Sequence, residues 1–209
     1  MSATDARRDA AAAPTPPSPP ATLGAVLEDL LINTPERQGR PWPLYVALLA
    51  GTALLHAGFH MVLVHRLAAA AHRTVVGRPV SFVLERVIYH WYHCLIPSSA
   101  RIGPGLFVPH PMGIILNKRA RLGRGVTLRQ YAQVIDVTEP GVDGVVGDRA
   151  QLNAFAMVVR GGSIGADSIV GARAVVTRPV PDGHVALGIP AECRPMRAEQ
   201  YLPREPRWK

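Results

Sequence analysis

The stretch Val158-Val159-Arg160-Gly161-Gly162-Ser163-Ile164-Gly165-Ala166-Asp167-Ser168-Ile169-Val170-Gly171-Ala172-Arg173-Ala174-Val175-Val176 decides how this chain folds. Its aliphatic residues Val158, Ile164, Val170 and Val176 recur at every sixth position, and the interval extends backward through Leu152 and Val146. An α-helix repeats every 3.6 residues and an ordinary strand every two, so neither accounts for it. One aliphatic per six residues fits a triangular solenoid, in which three short strands complete a coil and each aliphatic points into a narrow, stacked interior. Upstream the same interval links Leu116, Leu122, Leu128 and Val134, and, before a slip of two residues, Ile96, Ile102 and Val108. Gly103, Gly123, Gly147, Gly165 and Gly171 follow several of these aliphatics, on the side where the chain is expected to turn a corner. The pattern by itself fixes neither handedness nor chemistry.

Working outward, the repeat is interrupted at Pro179, Pro181 and Gly183, so residues 182–209 are expected to be a C-terminal loop and a basic tail. Before the repeat the period becomes helical. Leu27, Leu30 and Leu31 share one face, Pro43 to Leu55 is an apolar run, and Phe59, Val62, Leu63, Leu67 and Ala70 keep helical spacing. A last helix near Ser81–Leu95, with Ser81 as N-cap, is expected to bury Leu84, Val87, Ile88 and Trp91. Residues 1–22, rich in Ala, Pro, Ser and Thr, read as a disordered leader lacking the apolar core of a secretory signal. The expected organisation is therefore leader 1–22, helical domain 23–95, repeat domain 96–181 and tail 182–209. The run Pro43–Leu55 is shorter than the roughly 20 residues that a bilayer requires. It reads as a packed helix or one in peripheral membrane contact.

Composition removes several function classes. Hydrophobic residues make up 48% of the 209 and charged ones only 18%, which suits a turn-rich folded chain rather than a disordered one. The net charge of +8 comes from scattered Arg without a basic run or stripe, so nucleic acid is not an expected partner, whereas a phosphorylated small molecule is compatible with it. Cys94 and Cys193 are too few and too far apart for a disulfide framework or a zinc cluster, and a cytoplasmic location is the default expectation. His56, His60, His65 and His72 read as packing or surface residues. His90 and His93 lack carboxylate or cysteine partners at ligand spacing, and no metal is expected. No P-loop, dinucleotide fingerprint or nucleophile elbow is present.

The run from Ile164 to Ala172, followed by Val180-Pro181-Asp182-Gly183-His184-Val185-Ala186-Leu187-Gly188-Ile189-Pro190-Ala191, resembles the end of a hexapeptide-repeat acyltransferase. The order of parts resembles the serine O-acetyltransferase branch. A helical domain carries Gly58-Phe59-His60 and Arg66, and a helix then runs into Ile96-Pro97-Ser98-Ser99-Ala100-Arg101-Ile102-Gly103. The resemblance implies a mainly β fold: a left-handed parallel β-helix preceded by an α-helical domain. It also implies an acetyl-CoA-dependent O-acetyltransferase acting on a hydroxyl acceptor. Val108-Pro109-His110-Pro111-Met112-Gly113-Ile114-Ile115 is similar to the family's Asp-His-Ala-Thr-Gly-Ile-Val stretch and places His110 on the catalytic histidine. The slip in the repeat falls at the same place, where a side chain can be re-aimed from the wall into a cleft.

Three departures bear on the acceptor. Pro109 stands where the serine enzymes have a carboxylate, Leu95 replaces a second carboxylate, and Val142-Asp143-Gly144 occupies the region of a second active-site histidine. Those groups grip the charged ends of serine, so their loss favours a neutral hydroxyl such as a saccharide unit in polysaccharide synthesis over serine itself. A neutral His110 can take the proton of an attacking hydroxyl, and Asp136 or Asp143 or a backbone carbonyl could orient its ring. The resemblance lays coenzyme A along the solenoid between subunits, with Ala154, Gly171 and Ala172 allowing close approach and Arg173, Arg178 and Arg194 suited to its phosphates. It further implies a homotrimer or a hexamer. A non-catalytic assembly or regulatory subunit is the contrasting expectation.

Overall fold

A computed structural model describes residues 22–35, 40–135, 144–159 and 162–197. Among these described residues four helices come first: α1 (Leu23–Asn33), α2 (Trp42–Leu55), α3 (Ala57–His72) and α4 (Arg78–Tyr92). Twelve strands follow: β1 (Arg101–Ile102), β2 (Ile115–Leu116), β3 (Arg121–Leu122), β4 (Thr127–Leu128), β5 (Gln133–Val134), β6 (Val145–Val146), β7 (Gln151–Leu152), β8 (Met157–Val158), β9 (Ile169–Val170), β10 (Val175–Val176), β11 (His184–Gly188) and β12 (Ala191–Pro195).

The strands form three sheets in the orders β1-β3-β6, β10-β8-β5-β2 and β12-β11-β9-β7-β4, parallel throughout except for the β11–β12 pair. The chain visits the three sheets in rotation. Ile115 lies opposite Gln133 and Gln151 opposite Ile169, one coil of three six-residue units apart, while Gln133 lies opposite Met157, the wider separation taking in residues 136–143. Every aliphatic of the six-residue ladder is buried, none more than 3% exposed. A second inner row stands two residues before it: Ala100, Ala120, Ala132, Ala150, Ala156 and Ala174, all at most 2% exposed. The same row carries larger side chains in the earlier coils, Leu106, Ile114 and Val126, all at most 1% exposed, and alanine fills most of the rest. Gly103 turns a corner. A Cβ on it would lie 2.6 Å from the backbone of Gly123 in the next coil.

The first coil ends in unpaired backbone, and the helical region supplies its partners. Arg66, only 2% exposed, donates to the carbonyls of Ile102 and Gly103 and forms a two-pronged pair with Asp29 (2.9 and 3.2 Å). Asp29 in turn accepts from the N–H of Leu106 at 2.9 Å. Asn33 Nδ2 donates to the Leu106 carbonyl at 3.0 Å, and Glu85 of α4 accepts from the N–H of Ser98 at 2.6 Å. Burial raises the Asp29 carboxyl above its ordinary pKa, against the pull of the Arg66 guanidinium and the backbone N–H groups.

Several sequence expectations are corrected here. The face that α1 buries is Ala25, Asp29, Ile32 and Asn33, whereas Leu27 is 56% exposed, because a strand end offers N–H and C=O groups rather than an apolar surface. Helix α4 begins at Arg78 with Pro79 in its first turn, so Ser81 lies inside the helix instead of capping it. It buries Ser81 and Ile88, and Trp91 points outward. Residues 184–188 and 191–195, expected as loop, are strands: β11 adds to β9 in parallel and β12 folds back antiparallel on it. Among the described residues no single helix is long and apolar enough to cross a membrane. The consecutive α2 and α3 together reach that length and composition but bend by 65° at His56.

Candidate active site

His110 sits where the ladder slips. Phe107 bridges to Thr127 in the next coil, and the next wall residue after it is Ile115, so residues 109–113 bulge out of the corner between the two sheets. The bulge is a tight bend, with the N–H of Met112 donating to the His110 carbonyl at 2.9 Å, and the imidazole is exposed. Gly113 closes it at φ +64°, a left-handed conformation that favours glycine, and a Cβ there would lie 2.2 Å from the Tyr131 ring.

Helix α3 points its first turn at this bulge. Gly58 packs on the carbonyl of Val108 so closely that a Cβ would lie 1.8 Å from the oxygen. That contact explains the glycine of the Gly58-Phe59-His60 motif. His56 caps the helix, its Nδ1 accepting from the Phe59 N–H at 3.2 Å, which leaves Nε2 as the protonated donor nitrogen of the neutral ring. Burial foremost, then the nearby rings of His60 and His110, hold the His56 imidazole below the ordinary histidine pKa. Two histidines from different parts of the chain therefore share one electrostatic neighbourhood. Sequence reasoning left His56 as a packing residue. Its position directly before α3, two residues ahead of the glycine motif, was the signal that it occupied a helix terminus.

Below His110 on the same edge, successive corners are stacked. Tyr131 and Phe155 lie ring on ring at 4.7 Å and 6°, and the Arg173 guanidinium stands 5.8 Å from the Phe155 ring. The Arg173 N–H donates to the Ala154 carbonyl at 3.0 Å, so Ala154, Gly171, Ala172 and Arg173 converge on the edge that carries His110. Gly171 is held close for packing too, since a Cβ would meet Leu187 of β11 at 2.3 Å. Arg178 lies at a different corner, after β10, and Arg194 sits on β12 beside Glu192 at 3.5 Å; neither joins that edge. Asp136 and Asp143 lie outside the described residues. Among the described residues no three His, Cys, Asp or Glu side chains gather as a metal site.

No family model matches the chain. Over 148 residues it is 30% identical to a serine acetyltransferase of Helicobacter pylori strain J99, an alignment that takes in 66% of this chain and 82% of that protein. The chain belongs to the serine acetyltransferase family. A serine acetyltransferase of Mycobacterium tuberculosis is 36% identical over 103 residues, 46% of this chain and 43% of that one. Among solved structures, the soybean serine acetyltransferase apoenzyme superposes with a TM-score of 0.69 at 26% identity, covering 81% of this chain and 67% of its own. This serine acetyltransferase-like chain is thus an enzyme of the hexapeptide-repeat acyltransferases.

Proposed function

We propose that this enzyme transfers an acetyl group from acetyl-CoA to an uncharged hydroxyl, of saccharide type rather than the zwitterion serine, with His110 as general base. The observation that carries the reading is the placement of His110. It stands exposed on a bulge at the slip of the repeat, against the first turn of α3 and above a corner built from small residues and Arg173. Similar proteins support the co-substrate, since one solved serine acetyltransferase structure is a complex with CoA. The three sheets are read as a left-handed β-helix, as in that fold family, and the working unit as a homotrimer in which a neighbouring copy completes the site.

The step balances simply. His110 takes the proton of the acceptor O–H as its oxygen bonds to the thioester carbonyl carbon. The C–S bond breaks, and the proton passes to the departing thiolate, giving ester and free CoA thiol. Pro109 and Leu95 stand where carboxylates would bind the ammonium of an amino acid, so that charge loses its partners there, and this disfavours serine.

The test is thiol release from acetyl-CoA with a panel of L-serine, homoserine and simple sugars, the product identified by mass. Ester formation on a sugar hydroxyl faster than on serine supports the proposal. Preference for L-serine overturns the acceptor class, and thioester loss with no acceptor at all overturns the transfer itself.

A further inference from the structure

A cleft of about 550 Å³ opens between α2 and the first coil, walled by Leu48, Gly51, Thr52, Leu55, His56 and Phe107. Asn33, at the end of α1, also lines it and is 4% exposed. The Nδ2 of Asn33 donates to the carbonyls of Asp29 at 2.7 Å and Leu106 at 3.0 Å, which fixes the orientation of the amide. Its Oδ1 is buried and accepts no hydrogen bond among the described residues. A buried acceptor left unpaired is costly, and a ligand hydroxyl that reached Asn33 would relieve that cost. His56 also lines the cleft, with Nε2 as its donor nitrogen, and its ring lies within electrostatic reach of His110. None of the described residues lining the cleft is Asp, Glu, Lys or Arg, and Leu48, Leu55 and Phe107 give it an apolar wall. That wall continues onto the surface, where Leu54 and Leu55 of α2 are 72% and 83% exposed.

We propose that this cleft is the acceptor subsite and that it selects an uncharged amphiphilic alcohol: a hydroxylated head beside Asn33 and His56, with an apolar body along Leu48, Leu55 and Phe107. The inference rests on the transferase reading above and narrows its acceptor class. A charged amino acid finds no counter-charge there, whereas a hydroxylated head and an apolar body each meet a matching wall.

Alkyl glucosides of increasing chain length, held below their micelle concentrations, are the probes. For the wild type, binding by titration calorimetry and kcat/KM for acetyl transfer should both improve at least tenfold from methyl to hexyl glucoside, about fourfold for each methylene that the cleft buries until it is filled. Gly51→Leu tests the geometry. A Cβ on Gly51 meets nothing within 4 Å, so the larger side chain projects into open space and should reduce the chain-length effect to within about twofold. His56→Asn keeps a helix-capping acceptor but shortens the donor, and should raise KM for the glucosides with unchanged helix content by circular dichroism. Equal binding of methyl and hexyl glucoside overturns the proposal, as does a chain-length effect that survives Gly51→Leu. If glucosides bind with the predicted length dependence but no acceptor is acetylated, the transferase reading fails and the cleft stands as a binding site. Acetylation without length dependence sinks the cleft alone.

Discussion

Replacing Arg66 with methionine removes the guanidinium that ties α3 to α1 and to the first coil. The side chain is 2% exposed, pairs with Asp29 through Nε and Nη2, and donates to the carbonyls of Ile102 and Gly103. Methionine fills much of the volume but leaves the Asp29 carboxylate, 1% exposed, without its cation and two carbonyls without their donor. Breaking a buried pair from one side costs about 3–5 kcal/mol. In a chain of this size about 2–4 °C of melting temperature accompanies each kcal/mol, so the midpoint should fall by roughly 6–20 °C. Urea unfolding followed by circular dichroism gives the free energy directly. The double variant Arg66→Met/Asp29→Asn removes the stranded charge while keeping an acceptor for the Leu106 N–H, and should recover more than half of the loss. A single-variant loss below about 1 kcal/mol, or a double variant as unstable as the two singles summed, would refute the reasoning.

Other outcomes follow from the same structure. Burial holds the His65 imidazole down to about 4, with Nε2 bonded to the Pro97 carbonyl and Nδ1 without a hydrogen bond among the described residues. Because the folded pKa lies below the unfolded value of about 6.5, stability from this group is present above pH 6.5 and lost as pH falls toward 4; the melting temperature of wild type should drop more steeply across that window than that of His65→Gln. Gly103→Ala should destabilise by about 1–3 kcal/mol, since its Cβ meets the Gly123 backbone, whereas Gly51→Ala, on an open helix face, should stabilise by up to about 1 kcal/mol in the same melts. Light scattering should return three times the 22.5 kDa of a single chain, or a multiple of that; a monomer would contradict a site completed by a neighbouring copy.

The walls of the prism were legible in the sequence because one force sets them. Each inward aliphatic must be buried, so the interval from Val146 to Val176 could not drift without exposing one. The inner row beside it escaped notice, because alanine is common in every kind of element and Ala120 and Ala150 share the row with the larger Ile114 and Val126, so no single residue type marks it. For helix α1 the shared face of Leu27, Leu30 and Leu31 did not reveal the buried one, since amphipathic spacing looks for an apolar partner, and the partner of Asp29 and Asn33 is the backbone at the end of a coil. The strand β11 was missed for a related reason: prolines at 179 and 181 break the repeat, yet Val185 and Ala186 resume it on β9. At the site, His110 was marked by the slip in the ladder together with the resemblance of its surroundings. His56 was not, because its nearness to His110 depends on Gly58 docking against Val108, a contact between segments fifty residues apart.

The central claim is that His110 removes the proton of the acceptor, and the measurement that tests it most directly is kcat for acetyl transfer by wild type and His110→Asn on the best acceptor of the panel. Loss of about 10²–10⁴-fold in kcat, with KM for acetyl-CoA changed less than threefold and the melting temperature preserved, is the predicted result. A variant within threefold of wild type would contradict it.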